Sequence, residues 1–359
     1  MIRGVHIARY RGIRELVAEG FGRVNLIIGK NDCGKTAFME ALRLADDAED
    51  AAYYLMSAQE TRLGRGADRH DFDRFWRPIF FDLDAEQGLS IEAFYDDGIS
   101  KQLELRQGAQ SEGIRFDDNS VQGTRDDGQL GSSLASRAWA LDLQLTMRNG
   151  ERSQRRIVAT PTGVTLPPFV RSQGSAWIGP TAGGEELNVK NISVLKQRGQ
   201  DAALVDLLRE VDGRLLGIEI LAPGGNAAEL FVRLSNGTPM LPVALMGDGV
   251  QRCLEFGAAA AARDWPALFI DEIENGMHHL VLEPIWRWIA SVSRRRDLQI
   301  FATTHSEECI HAACRAFRNL QDEDLRVIRL DRLESGTRAT VYDRALIEVA
   351  ERTGTEIRG

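Results

Sequence analysis

Val24-Asn25-Leu26-Ile27-Ile28-Gly29-Lys30-Asn31-Asp32-Cys33-Gly34-Lys35-Thr36, continuing through Ala37 to Leu44 as AFMEALRL, decides how the rest of the chain is read. Val24, Leu26, Ile27 and Ile28 form a short apolar run that stops at Gly29, the pattern of a buried strand. Gly29 to Thr36 fits G-x-x-x-x-G-K-[ST] at every fixed position. Behind it, Ala37, Phe38, Met39, Ala41, Leu42 and Leu44 follow a helical pattern. Strand, glycine loop and helix form the context in which this motif works. Its glycines let backbone N–H groups turn toward phosphate oxygens, and the helix N-terminus adds partial positive charge. The motif aims Lys35 at the β- and γ-phosphates of a nucleotide and the Thr36 hydroxyl at Mg²⁺. An ordinary glycine turn would need none of these fixed residues. The stretch reads as a nucleotide-phosphate site.

Composition sets the limits around it. A chain of 359 residues can bury a large core in one big domain or two smaller ones. A net charge of −9 argues against a body that coats nucleic acid, although a local basic patch stays compatible with it. Cys33, Cys253, Cys309 and Cys314 are scattered without a C-x-x-C pair, so neither a zinc site nor a disulfide framework is expected, and a reducing cytoplasm is. The opening MIRGVHIARYRG lacks the apolar core of a signal peptide, and the alanine run Ala258–Ala262 is far too short to span a membrane.

Taken in order, Val5, Ile7, Ile13 and Leu16 around Tyr10-Arg11-Gly12 predict a strand pair leading into the phosphate loop. Arg11 and Arg14 have two readings, nucleotide or solvent, and solvent is favoured. Arg62 to Arg77 mixes five arginines with Phe72, Phe75 and Trp76. Because Asp68, Asp71 and Asp73 are interleaved, a segment closing over the sheet is favoured over a nucleic-acid contact. Short β-like runs follow at Ile79–Leu83, Leu89–Tyr95, Lys101–Arg106, Ala140–Met147 and Arg156–Ala159. Between them, Gln107 to Ser133 reads as a long exposed loop. Trp177–Gly184 is a glycine-bearing connector and the expected lobe boundary. Leu204, Leu207, Leu208, Val211 and Leu215 mark one face of a helix. Strands at Ile218–Leu221 and Leu230–Leu234 come next, and from Leu241 the alternation of helices and apolar strands indicates a parallel α/β sheet.

Three later segments complete a site. Ala267-Leu268-Phe269-Ile270 is a core strand ending in Asp271, placed to hold Mg²⁺, and Glu272, placed to polarise an attacking water. Gln299 to Ser306 is another core strand, ending in a polar switch at His305. Met246-Gly247-Asp248-Gly249-Val250-Gln251-Arg252 opens a helix running to Ala262, and a glycine turn at a helix start is a ready anion site.

Together, in this order, the four segments resemble the ATP-binding-cassette (ABC) class of ATPase heads, and more narrowly the RecF, SMC and overcoming-lysogenization-defect (OLD) branch. IARYRGIREL before NLIIGKNDCGKT, then IDEIENGMHH and FATTHSEE, carry the resemblance. It implies an α/β fold: one ABC-type P-loop head with an N-terminal lobe (1–180) that has a β-rich extension, and a C-terminal lobe (181–359). It assigns ATP and Mg²⁺ as cofactors, with Lys35 and Thr36 on phosphate and metal. Asn31 and Gly34 belong to the phosphate loop, Asp271 is the metal acid, Glu272 the catalytic base and His305 the γ-phosphate sensor. Gly247 and Gly249 stand in the signature segment, which departs from L-S-G-G-Q by having Gly247 where a serine would touch a partner's γ-phosphate. The long SMC arm is missing, and the residues after His305 are too few for the Toprim domain of OLD nucleases. The resemblance therefore implies a homo-oligomer of head pairs acting on a separate effector such as a nuclease, with DNA a possible partner and no membrane. The alternatives are a RecF-like DNA-repair ATPase and a weakly hydrolysing scaffold. Cys33, inside the loop beside Lys35 and a helix N-terminus, is expected to have a lowered pKa.

Overall fold

The computed structural model describes residues 1–64, 66–108, 139–160, 163–170, 174–180, 185–225, 227–237, 239–334 and 336–353. Strands β1 (Ile2–Tyr10) and β2 (Ile13–Glu19) form the expected antiparallel hairpin, turning at Arg11-Gly12. The run Val24–Ile28 is β3, buried at every residue, and it leads into α1 (Lys35–Asp46) and then α2 (Ala51–Leu63). Strands β4 (Leu89–Tyr95), β5 (Ser100–Gln107), β6 (Trp139–Met147), β7 (Arg152–Thr160) and β8 (Gly163–Thr165) join the first hairpin. They make a seven-stranded sheet in the order β2-β1-β4-β5-β6-β7-β8, antiparallel throughout.

The second half begins with β9 (Ala176–Ile178), α3 (Glu185–Gln197) and α4 (Ala202–Val211). A small antiparallel sheet follows, β10 (Leu215–Leu221), β11 (Glu229–Leu234) and β12 (Leu241–Pro242). Then come α5 (Asp248–Ala262), β13 (Ala267–Ile270), α6 (His279–Arg296) and β14 (Gln299–Thr303). The described chain closes with α7 (Glu307–Asn319), β15 (Leu325–Leu333), β16 (Gly336–Tyr342) and α8 (Arg344–Thr353). The central sheet has six strands in the order β16-β15-β3-β14-β13-β9, parallel except for β16 at one edge.

Strand periodicity splits the core in two. Successive side chains of a strand point to opposite faces. Val24, Leu26, Ile28, Leu268, Ile270 and Ile300 pack with helices α3 to α7 on one face. Ile27, Phe269, Phe301 and Ile328 pack with α1 and the antiparallel sheet on the other. Both faces are covered, so these strands read as continuous apolar runs, and their polar residues are left for the strand ends.

Four expectations are corrected. Ile79–Leu83 is not a strand but two short helical turns around Phe80, which bridges to Tyr10. Pro78 cannot donate to a ladder, and Asp82 and Leu83 take left-handed φ values of 51° and 59°. Trp177 belongs to β9, the edge strand of the central sheet, rather than to a connector. Leu215 starts β10 instead of continuing the face of α4. Arg11, favoured as solvent-facing, is almost buried, as described below. Between Arg62 and Arg77 the closing-segment reading holds: Phe75 and Trp76 are fully buried, and Arg77 pairs with Asp73 at 2.6 Å. Most of the long loop expected between Gln107 and Ser133 lies outside the described residues.

Candidate nucleotide-phosphate site

The phosphate loop takes the conformation its glycines were read for. Gly34 caps α1 from the left-handed region at φ 96°, and Gly29 lies at φ 143°, where a Cβ would collide with the Leu330 carbonyl and the Cys33 sulfur. Lys35 folds back over the loop. Its ammonium donates to the carbonyls of Gly29 at 2.8 Å and Lys30 at 3.0 Å. A cation is thus fixed among the backbone groups at the helix N-terminus, the arrangement that attracts phosphate.

The ends of two neighbouring parallel strands supply the acids. Asp271, one residue past β13, accepts from the Thr36 hydroxyl at 3.0 Å and from the Thr303 hydroxyl at 2.6 Å. It is only 5% exposed, and burial pushes its pKa up while the two hydroxyls pull it back. A buried carboxylate beside a hydroxyl is a fitting place for a hard divalent cation. Among the described residues no group of three His, Cys, Asp or Glu side chains forms a metal cage. A metal at Thr36 and Asp271 would therefore draw its other oxygens from phosphate and water, which suits Mg²⁺ better than Ca²⁺.

Glu272 follows with φ 52°, its N–H donating to Thr303 Oγ1 at 2.8 Å. Its Oε1 lies 3.8 Å from His305 Nε2, and the His305 N–H donates to Glu274 at 2.8 Å. Asn31, Gly34, Lys35, Thr36, Glu272 and His305 all line one cleft of about 550 Å³, so segments far apart in sequence converge there. Gly247 and Gly249 do not line it. Gly247 caps α5 at the surface, and Gly249 packs against the carbonyl of Gly276.

Several arginines of the cleft are ones that sequence patterns left unassigned or, for Arg11, turned toward solvent. Arg11 sits on the β1–β2 turn at φ 50°, its Nε 2.6 Å from Glu40 and its Nη1 donating to Gln59 at 2.7 Å, which buries it where solvent was expected. Arg14 is exposed, as expected. Arg62 also reaches Glu40, at 3.0 Å, and Arg332 pairs with Asp32 of the loop at 2.7 Å. No local pattern marks these arginines. Arg11's place just ahead of the phosphate loop was the only hint. The expectation for Cys33 is overturned: the thiol is 4% exposed, and burial raises its pKa more than Lys35, 3.9 Å away, lowers it.

Residues 182–310 match a family model described as AAA domain, putative AbiEii toxin, Type IV TA system. That span contains Asp271, Glu272 and His305. Over that span the chain carries an ATPase domain of the AAA type. A relative named ATP/GTP phosphatase from Helicobacter pylori is 22% identical over 346 residues, 86% of either chain. An uncharacterized protein of Methanocaldococcus jannaschii is 36% identical over 80 residues, and the ATPase spans only 36% of its length. A solved SMC head, bound to the C-terminal winged-helix domain of ScpA, superposes with a TM-score of 0.50 at 10% identity, covering 95% of this ATPase and 98% of that chain. That likeness concerns the fold alone. Among the described residues no helix is long and apolar enough to cross a membrane.

Proposed function

We propose that this ATPase is an OLD-like regulatory subunit of a prokaryotic defence system, whose nucleotide state controls a separate effector chain such as a nuclease. The observation that carries the catalytic part is the joint of Thr36, Asp271 and Thr303, with Glu272 and His305 facing each other at the cleft beside it. In this reading Lys35 and the loop N–H groups, with Asn31 and Gly34, hold the β- and γ-phosphates. Thr36 and Asp271 hold Mg²⁺, which when bound neutralises charge on those phosphates. Glu272 accepts a proton from the attacking water, a role worth ~10²–10⁴ in rate. His305 senses the γ-phosphate.

Two heads (lobes 1–180 and 181–359 in each) pair so that the Gly247–Gly249 turn of one, exposed at Gly247 and Asp248, meets the γ-phosphate of the other. The matched family's description, naming a toxin of a toxin–antitoxin system, supports a defence role over a housekeeping one. The RecF-like alternative gains little from the arginines, since Arg77, Arg156 and Arg62 are each paired with an acid. Steady-state ATPase activity with and without duplex DNA tests the choice. The expected result is Mg²⁺-dependent hydrolysis indifferent to DNA. Strong, salt-sensitive stimulation by duplex DNA would favour the RecF-like reading. No hydrolysis under any condition would leave a scaffold.

A further inference from the structure

Glu272 has a backbone conformation that few residues with a long side chain adopt. Three ties hold it there. Its N–H donates to Thr303 Oγ1 at 2.8 Å, its carbonyl accepts from the Arg252 guanidinium at 3.3 Å, and its Oε2 accepts from the Asn275 side-chain amide at 2.7 Å. The same amide nitrogen donates to the Pro180 carbonyl at 3.0 Å, just beyond β9. Both partners are acceptors, so only the NH₂ end of Asn275 can face them, and the orientation of the amide is fixed.

The turn itself does not need this side chain. Backbone bonds already close it: Asn275 N–H to the Glu272 carbonyl at 3.1 Å, and Met277 N–H to the Glu274 carbonyl at 2.9 Å. What the amide adds is a grip on the carboxylate. A free glutamate side chain spreads over several rotamers. With Oε2 tied through Asn275 to Pro180, Oε1 is left on the side of His305 and the cleft.

We infer that Asn275 is a positioning residue for ATP hydrolysis: it pins one oxygen of the Glu272 carboxylate so that the other stays presented to the attacking water. The inference rests on Glu272 being the base. Asn275 need not touch nucleotide, so it should act on turnover and leave binding alone, since small misplacements of a reacting group cost rate steeply.

The test uses the full chain with Asn275→Ala, which removes the donor, and Asn275→Asp, which keeps the size but sets a carboxylate against Glu272. Single-turnover hydrolysis and calorimetric ATP affinity are measured in the wild-type and Glu272→Gln backgrounds. The expected result is a roughly tenfold slower turnover in Asn275→Ala and a greater loss in Asn275→Asp, with ATP affinity within about twofold of wild type. Adding Asn275→Ala to Glu272→Gln should bring no further loss, because both act through one group. Wild-type turnover in Asn275→Asp, an equal loss in the Glu272→Gln background, or collapse of ATP affinity in both variants would each overturn the inference. Wild-type turnover in Glu272→Gln alone would instead remove the base assignment beneath it, and that single variant tells the two failures apart.

Discussion

The two large sheets of this ATPase follow opposite rules. Strands β3, β14 and β13 of the central sheet are buried along their whole length, so the candidate site's polar groups fall where those strands end. Ile28 gives way to the phosphate loop, Ile270 to Asp271 and Glu272, and Thr303 to His305. Neighbouring parallel strands end on the same side, which brings these segments together however far apart they lie in sequence. The antiparallel sheet is apolar on one face and polar on the other, as β4 shows by alternating buried and half-buried residues. It lends the cleft little beyond its β1–β2 turn, with Arg11 and Gly12. One sheet therefore carries most residues of the candidate site, and the other packs against it.

Substitutions should break the two differently. The largest effect is expected for Lys35→Ala, which removes the cation fixed over the phosphate loop and should abolish ATP binding by calorimetry while the fold is kept. Near-normal affinity would dissolve the contrast at its most polar point. In the helical turn packed against the antiparallel sheet, Trp76→Ala should cost about 3–5 kcal/mol in denaturant unfolding. Trp76 is fully buried and meets Trp139 of β6 at 5.4 Å between ring centroids. The variant's folded fraction should bind ATP as tightly as wild type.

A smaller and opposite effect is expected at Asp271. Burial raises its folded-state pKa above the unfolded value. Its contribution to stability is therefore full below the unfolded pKa and fades as pH climbs through the folded one. Asp271→Asn should make the nucleotide-free protein more stable near pH 7. The gain should shrink toward pH 4, and Mg²⁺-dependent hydrolysis should be lost. A variant less stable than wild type at neutral pH would contradict this. The smallest effect concerns Cys33. Because it is buried with a raised pKa, maleimide should label it more slowly at neutral pH than a solvent cysteine. Fast labelling of the folded protein would show that the loop opens.

The sequence disclosed the central sheet and its acids for a physical reason. Buried parallel strands are long apolar runs, and Gly29 and Asp271 stand out in the sequence as the residues that follow two of them. The arginines of the cleft were hidden because their partners are set by tertiary contact. Nothing local says that Arg11 turns inward to Glu40 or that Arg332, on the neighbouring strand β15, reaches Asp32 of the phosphate loop. Asn275 was likewise unreadable, since its role depends on Pro180, brought beside it only by the pairing of β9 with β13. Cys33 was misjudged for a related reason: the charge beside it is visible in the sequence, but the burial that outweighs that charge is not.

The most direct test of the account is ATP binding and phosphate release measured side by side on Glu272→Gln. The amide keeps the size of the side chain and removes the base. The account predicts ATP affinity close to wild type with turnover reduced by ~10²–10⁴. Turnover at the wild-type rate would contradict it and move the catalytic role away from the end of β13.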